Sequence, residues 1–280
     1  VKLGNLAQRL LFAFVAGPVF LWATWFGGWP RWIQLGFIVV AASWEAARLI
    51  RQRYPKVLTA DFVVPTGVGL TLALGPGGPW QCLSHLLPLV WVLALLALVL
   101  TGFRRFAREE AFAWIALQGG VFSFFAFSGR IIFTLASWDV APGARGWVSV
   151  APLLWAALGC WAGDTGAYAV GKLFGKHKLC PELSPAKTIE GALGALVATA
   201  IFSLFWAPNL LGWSVPAAAM AGLALAVCGI LGDLLESSAK RWAGVKDSSH
   251  IFPGHGGVYD RFDSLFLSAP VLWAVFVALR

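Results

Sequence analysis

At 280 residues, 59% hydrophobic, only 12% charged and with a mean hydropathy of +0.76, this chain excludes a soluble domain folded around one core. Its formal net charge of +8 would point to nucleic acid in a soluble protein, but here the charges sit in short clusters between apolar runs. Orientation in a membrane is the simpler cause, and no nucleic-acid partner is expected. Cys82, Cys160, Cys180 and Cys228 form no CxxC pair and no zinc spacing, and Cys160 and Cys228 fall inside apolar runs, where a free thiol behaves as a small hydrophobe.

Apolar runs recur along the whole length and do not alternate as β-barrel strands would. Spans must therefore be helices, because the backbone has to satisfy its own hydrogen bonds in lipid. The fold class expected is all-α: a polytopic integral membrane protein of nine transmembrane helices, at about 6–27, 32–50, 61–79, 84–102, 111–136, 148–171, 187–207, 215–239 and 263–279. The third span contains Pro65 and several glycines, so a broken or re-entrant segment is its alternative. Lys2 and Arg9 precede an apolar run from Leu10 to Phe26 that is long for a secretory signal and is followed by no Ala-x-Ala site, so it reads as the first span.

Basic residues follow the even spans: Arg48, Arg51, Arg53 and Lys56; Arg104, Arg105 and Arg108; Lys172, Lys176, Lys178 and Lys187; Lys240, Arg241, Lys246 and Arg261. The alternate loops carry little beyond Arg31, Asp139 and Arg145. The positive-inside rule then places the N-terminus in the cytoplasm and the C-terminus outside. The location expected is the cell's inner (plasma) membrane, multi-pass. Trp25, Trp29, Trp32, Trp80, Trp138, Trp147, Trp206 and Trp213 cluster near the expected outer loops, as amphipathic indoles do at an interface.

Eight of the thirteen carboxylates lie between Asp164 and Asp263. The chain divides on this basis into residues 1–147, structural and lipid-facing, and 148–280, catalytic, with the active site facing the cytoplasm. The densest polar stretch is Lys240–Asp263, with three carboxylates, four Lys or Arg and two His. Polar groups wedged between apolar runs are costly unless they bind something, so they mark a functional site.

Asp233 and Glu236 stand at i and i+3, on one helix face, and Asp260 and Asp263 repeat that spacing. If the Gly-rich loop between the pairs folds back, Asp233 meets Asp260, and two carboxylates with phosphate suit Mg²⁺. The simpler alternatives are helix capping by Asp260 and Asp263 and a Glu236–Lys240 ion pair. Pro253-Gly254-His255-Gly256-Gly257 beside Lys246 and Arg261 can cradle phosphate through its backbone N–H groups. Asp164, Tyr168 and Lys172 fall on one helix face at i, i+4 and i+8. Gly166 to Lys172 nearly matches a phosphate loop, but Leu173 replaces the hydroxyl residue and no strand precedes it, which excludes that motif. Ser184, Lys187 and Thr188 read as the start of a helix offering a hydroxyl, a cation and free N–H groups to an anion, with a plain N-cap as the alternative.

Together these residues resemble the phosphatidate cytidylyltransferase (CDP-diglyceride synthase) family. Its signature, Ser-x-x-Lys-Arg-x4-Lys-Asp-x5-Pro-Gly-His-Gly-Gly-x-x-Asp-Arg-x-Asp, matches from Ser237 through Asp263 at every fixed position. Gly-Asp-Leu-x-Glu-Ser from Gly232, Asp-x-Gly-Ala-Tyr from Asp164, Gly-Lys-x-x-Gly-Lys-His from Gly171 and Ser-Pro-x-Lys-Thr from Ser184 also match. The likeness covers about residues 150–270. Ser249 stands where the family has Gly, Ala239 where a larger apolar residue is usual and Ala186 where Gly is common; none of the three removes a charge.

The resemblance implies that CTP and phosphatidic acid react to CDP-diacylglycerol and pyrophosphate, with Mg²⁺. It assigns Asp233 and Asp260 to the metal, with Asp263 and Asp164 as helpers and His255 on the leaving pyrophosphate. Lys240, Arg241, Lys246 and Arg261 would hold phosphates, and Ser184, Lys187 and Thr188 would close the nucleotide side. Lys172, Ser237, Asp247, Gly256 and Gly257 complete the candidate substrate-binding set. A second, monovalent cation and a homodimer are left open. The rival readings are transfer to another lipid phosphate, a CTP-dependent lipid kinase, and an ion-coupled transporter using Asp164, Asp233 and Glu236, which would place such groups at the bilayer midplane.

Overall fold

The computed structural model describes residues 5–55, 60–75, 78–137, 150–252 and 256–279, without the side chains of 5–13 and 16. Among them nine α-helices follow in order: α1 (Asn5–Phe26), α2 (Gly28–Arg53), α3 (Ala60–Leu74), α4 (Leu87–Arg105), α5 (Arg108–Ala136), α6 (Ala151–Phe174), α7 (Ile189–Leu210), α8 (Val215–Trp242) and α9 (Tyr259–Ala278). A 3-10 turn, Gln81–Leu86, leads into α4, and two short strands, β1 (Lys178–Cys180) and β2 (Ser184–Thr188), separate α6 from α7. Six of these segments are long and apolar enough to cross a membrane, so the chain is an all-α, multi-pass membrane protein. α3 is the short one: its 15 residues rise ~22 Å, less than the ~30 Å of a hydrocarbon core.

The chain packs as two compact units. The first comprises Val1–Thr134 and Ala239–Phe262, the second Leu135–Ser238 and Asp263–Arg280. The boundary at residue 147 expected from the sequence lies among the undescribed residues 138–149.

In the first unit α3 packs against α2 and α4. Trp114, Phe122, Phe125, Leu72 and Leu98 are fully buried there. Close approach depends on small residues: a Cβ on Gly67 would meet Phe122 at 2.8 Å, and one on Gly129 would meet Val39 at 2.6 Å. α4 buries only Ala94, Leu98 and Gly102, a stripe at i, i+4 and i+8, and turns Leu89, Val92, Leu93, Leu96 and Leu100 outward. Such an apolar exterior fits lipid. Arg51 at the end of α2 is paired with Asp61 at the start of α3.

The second unit is built on the α6–α7 pair, whose backbones approach closely along their length. Without a hydrophobic force between helices in lipid, small residues at the contact let dispersion do the work. Here a Cβ on Gly166 would lie 2.5 Å from Ala198 Cβ and 2.6 Å from the Gly194 carbonyl oxygen, and one on Gly163 would lie 2.7 Å from Thr199 Oγ1. Trp155 is fully buried, donates to Ser203 Oγ at 3.2 Å and meets the Trp213 ring edge-on at 5.3 Å. Trp213 is 9% exposed and also touches Phe276. It is therefore a core residue rather than the interfacial indole expected, since α6 and α9 supply an aromatic socket that composition does not reveal. Trp25, Trp29 and Trp80 are exposed, and Trp138 and Trp147 lie outside the described residues.

Candidate active site

Two groups of polar residues stand out, one in each unit. In the second unit, a cavity of about 510 Å³ is lined by Asp164, Tyr168 and Lys172 of α6, Ser184, Lys187 and Thr188 of β2, and Asp233 of α8. Its deeper wall is apolar or weakly polar, with Cys160, Ala195, Thr199 and Leu225. The volume falls in the range of about 300–1,000 Å³ usual for small-molecule sites.

The chain builds this cavity in steps. Two turns of α6 carry Asp164, Tyr168 and Lys172 on one face, as their spacing requires; Lys172 Nζ lies 3.4 Å from Tyr168 Oη and 5.5 Å from the ring centre. A hairpin then returns the chain, with Lys178 opposite Thr188 and Cys180 opposite Ser184. Glu190 fastens its base, accepting from the backbone N–H of Lys176 at 3.1 Å and of His177 at 3.2 Å and contacting His177 Nδ1 at 2.6 Å.

Ser184 and Lys187 lie on β2, not on a helix start as the sequence reading has it. The residue before a proline avoids the helical region, and Ser184 precedes Pro185. The helix begins only at Ile189, where Thr188 is the N-cap and its Oγ1 accepts from the Gly191 N–H at 3.1 Å.

The third side is acidic. Gly232 of α8 packs against the backbone of α9, where an added Cβ would lie 2.9 Å from the Asp263 carbonyl oxygen, and Ser264 Oγ donates to the Gly229 carbonyl at 3.1 Å. This close crossing brings one carboxylate oxygen each of Asp233, Glu236 and Asp263 within 4.8 Å of one another. Lys187 Nζ answers that charge, 2.5 Å from Asp233 Oδ2. Three hard oxygen donors grouped beside a cavity fit a divalent cation such as Mg²⁺.

In the first unit the signature residues form a different arrangement. Asp260 Oδ1 accepts from Lys240 Nζ at 2.8 Å, while Oδ2 accepts from Ser248 N at 3.0 Å, Ser248 Oγ at 3.1 Å and Gly257 N at 2.7 Å. The Gly257 N–H, expected from sequence to face phosphate, is thus directed to Asp260. Lys240 Nζ also forms an ion pair with Asp260 across this turn. Gly256 takes a positive φ of 81°, accessible to glycine at little cost, and its carbonyl accepts from Phe252 N at 2.9 Å. Arg241, Lys246, Asp247 and Arg261 are exposed, while Ser237, which falls in the second unit, is half-buried. Pro253, Gly254 and His255 lie outside the described residues. Asp233 and Asp260, assigned together to a metal from the sequence, belong to different units, each with its own partners.

One further carboxylate escapes sequence reading. Glu45 of α2, assigned to the structural half of the chain, is fully buried and accepts four hydrogen bonds from the Ser248–Tyr259 stretch. A charge alone in an apolar run was the available signal, since it is tolerated only with partners.

The fold and these polar groups define an integral membrane protein with a charged cavity bordered by a carboxylate cluster. The Cytidylyltransferase family model matches residues 7–279, and the chain belongs to that family. Among curated proteins it is similar to the phosphatidate cytidylyltransferases of Staphylococcus haemolyticus, 48% identical over 124 residues, and Staphylococcus saprophyticus, 47% identical over 124 residues. In each case the match covers 43% of this chain and 46% of the relative, so it spans just under half the length of the curated relatives.

Proposed function

We propose that this protein transfers CMP from CTP to phosphatidic acid, giving CDP-diacylglycerol and pyrophosphate for phospholipid synthesis. The observation that carries this reading is the convergence of Asp164, Lys172, Ser184, Lys187, Thr188 and Asp233 on one cavity in a chain of the cytidylyltransferase family. In the transfer, a phosphate oxygen of the lipid attacks the α-phosphorus of CTP. A new P–O bond forms, the α–β anhydride bond breaks, and its electron pair leaves with pyrophosphate. The attacking oxygen is already ionised near neutral pH, so no strong protein base is required. Positioning and charge neutralisation then carry catalysis.

Lys172 and Lys187 supply cations at the cavity, with Ser184 and Thr188 as hydroxyl partners. In the first unit, Lys240, Arg241, Lys246 and Arg261 are the signature's own phosphate-binding candidates, with Asp247 among them in sequence. Asp233, Glu236 and Asp263 would hold Mg²⁺, with Asp164 nearby on the cavity wall and Asp260 anchoring the signature. When bound, Mg²⁺ supplies charge neutralisation for the phosphates.

We also place the site on the cytoplasmic side of the cell's inner membrane. Supporting this, the last turns of α2, α4, α6 and α8 carry Arg51 and Arg53, Arg104 and Arg105, Lys172, and Lys240 and Arg241, while those of α1, α3, α5, α7 and α9 carry no basic residue. That alternation is what the positive-inside rule produces in a chain crossing back and forth.

The test uses purified protein in detergent with phosphatidic acid, Mg²⁺ and CTP labelled at either the α- or the γ-phosphate, with Asp260→Asn alongside. Label from the α-position entering lipid, and its loss in the variant, supports the proposal. Entry of the γ-label makes the protein a lipid kinase; entry of neither across several lipid phosphates refutes transfer and turns attention to transport.

A further inference from the structure

Glu45 offers two carboxylate oxygens, and four donors from a segment two hundred residues away fill both. Oε1 accepts from Val258 N at 3.0 Å and from Ser249 Oγ; Oε2 accepts from Tyr259 N at 2.7 Å and Ser248 Oγ at 3.0 Å. Val258 and Tyr259 stand at the start of α9, where backbone N–H groups lack intrahelical acceptors and the helix dipole favours an anion. Glu45 therefore caps α9 from another helix and ties Ser248 and Ser249 to the same point. The fit leaves no slack, because a Cβ on Gly257 would lie 2.6 Å from both Glu45 oxygens. Asp260 takes the same Ser248 hydroxyl together with the Lys240 ammonium. A buried anion on α2 and the signature aspartate thus flank one hydroxyl, whose single proton lies within reach of either carboxylate.

We propose that Glu45 is a positioning residue for CMP transfer: through Ser248, Ser249 and the first amides of α9 it fixes Asp260, and Lys246 just before that serine pair, in their working geometry. The proposal rests on the cytidylyltransferase reading. Ser249 strengthens the tie, since its hydroxyl stands where the resembling family has glycine and adds a donor to Oε1. Replacing Glu45 with Gln keeps the shape but turns one acceptor into a donor facing other donors, so the tie fails without a cavity.

The experiment compares wild type, Glu45→Gln, Ser248→Ala/Ser249→Ala and the combined variant in detergent. Two readouts are taken: tryptic cleavage after exposed Lys246, against cleavage after exposed Lys178 in the β1–β2 hairpin, and transfer of α-label from CTP to phosphatidic acid. Expected for Glu45→Gln is cleavage after Lys246 faster by about tenfold or more with Lys178 unchanged, and kcat down by about tenfold or more with the KM for CTP within about twofold. The combined variant is expected to add little to Glu45→Gln, as coupled residues do. Unchanged cleavage after Lys246, or equal acceleration at Lys178, overturns the proposal. Faster cleavage after Lys246 with unaltered kcat makes Glu45 a structural clasp and also overturns it. If wild type incorporates no label, the transfer reading fails, while the cleavage ratio still decides whether Glu45 holds the segment.

Discussion

Lys187 Nζ lies 2.5 Å from Asp233 Oδ2, joining the strand that follows the hairpin turn to the acidic end of α8. Both side chains keep partial contact with solvent, at 22% and 37% exposure, so the pair adds at most about 1 kcal/mol to stability. Lys187→Ala is expected to leave the thermal midpoint in detergent nearly unchanged. A phosphate that loses a charge-assisted contact loses about 1.5–3 kcal/mol, so the KM for CTP is expected to rise by about 10–100-fold. Steady-state kinetics with varied CTP check this; an unaltered KM removes Lys187 from the nucleotide site.

Asp233 shares its cluster with Glu236 and Asp263. Removing one hard oxygen donor from a cation site weakens the cation and the charge stabilisation it supplies, a matter of several kcal/mol. Asp233→Asn is expected to lower transfer by about 100-fold or more and to raise the Mg²⁺ concentration for half-maximal activity, and EDTA is expected to silence the wild type. Titrating Mg²⁺ into both proteins decides the matter: a variant with wild-type Mg²⁺ dependence shows that Asp233 holds no metal.

The α6–α7 contact makes a prediction independent of catalysis. A side chain at Gly166 would collide with Ala198 and with the Gly194 carbonyl, and backbone cannot yield as a flexible side chain can. Gly166→Val is expected to cost about 1–3 kcal/mol or more. Gly120→Ala is the control, because nothing lies within 4 Å of the point its Cβ would occupy and the change favours helix by up to about 1 kcal/mol. Thermal unfolding of the two variants, followed by intrinsic fluorescence, should separate them in opposite directions.

Trp155 carries the core of the second unit, with no exposure, a hydrogen bond to Ser203 and ring contacts to Trp213 and Phe276. Trp155→Ala is expected to cost about 3–5 kcal/mol, as large aromatic truncations do. Circular dichroism during heating measures it, and a loss under about 1 kcal/mol would mean the socket collapses around the gap.

Local pattern made much of this legible. The nine helices follow the apolar runs, and the face shared by Asp164, Tyr168 and Lys172 follows from helical spacing alone. Asp233 and Glu236 likewise join one cluster because they are three residues apart. The hairpin was hidden because three- and five-residue strands have no periodicity long enough to see. Trp213 reads as interfacial from its neighbours in sequence, yet its neighbours in space are aromatic.

The sequence by itself determined the class of protein, the order of its helices and the alternation of basic helix ends, because hydrophobicity and charge act over one or two turns. Tertiary structure alone decided that Asp263 joins Asp233 and Glu236, that Asp260 turns to Lys240 and Ser248, and that Glu45 closes on a segment far along the chain. Those choices depend on which backbones approach closely enough, at Gly229, Gly232 and Gly257, for buried charges to find partners across long separations. A single sequence carries no local signal for the separation at which such a partner lies.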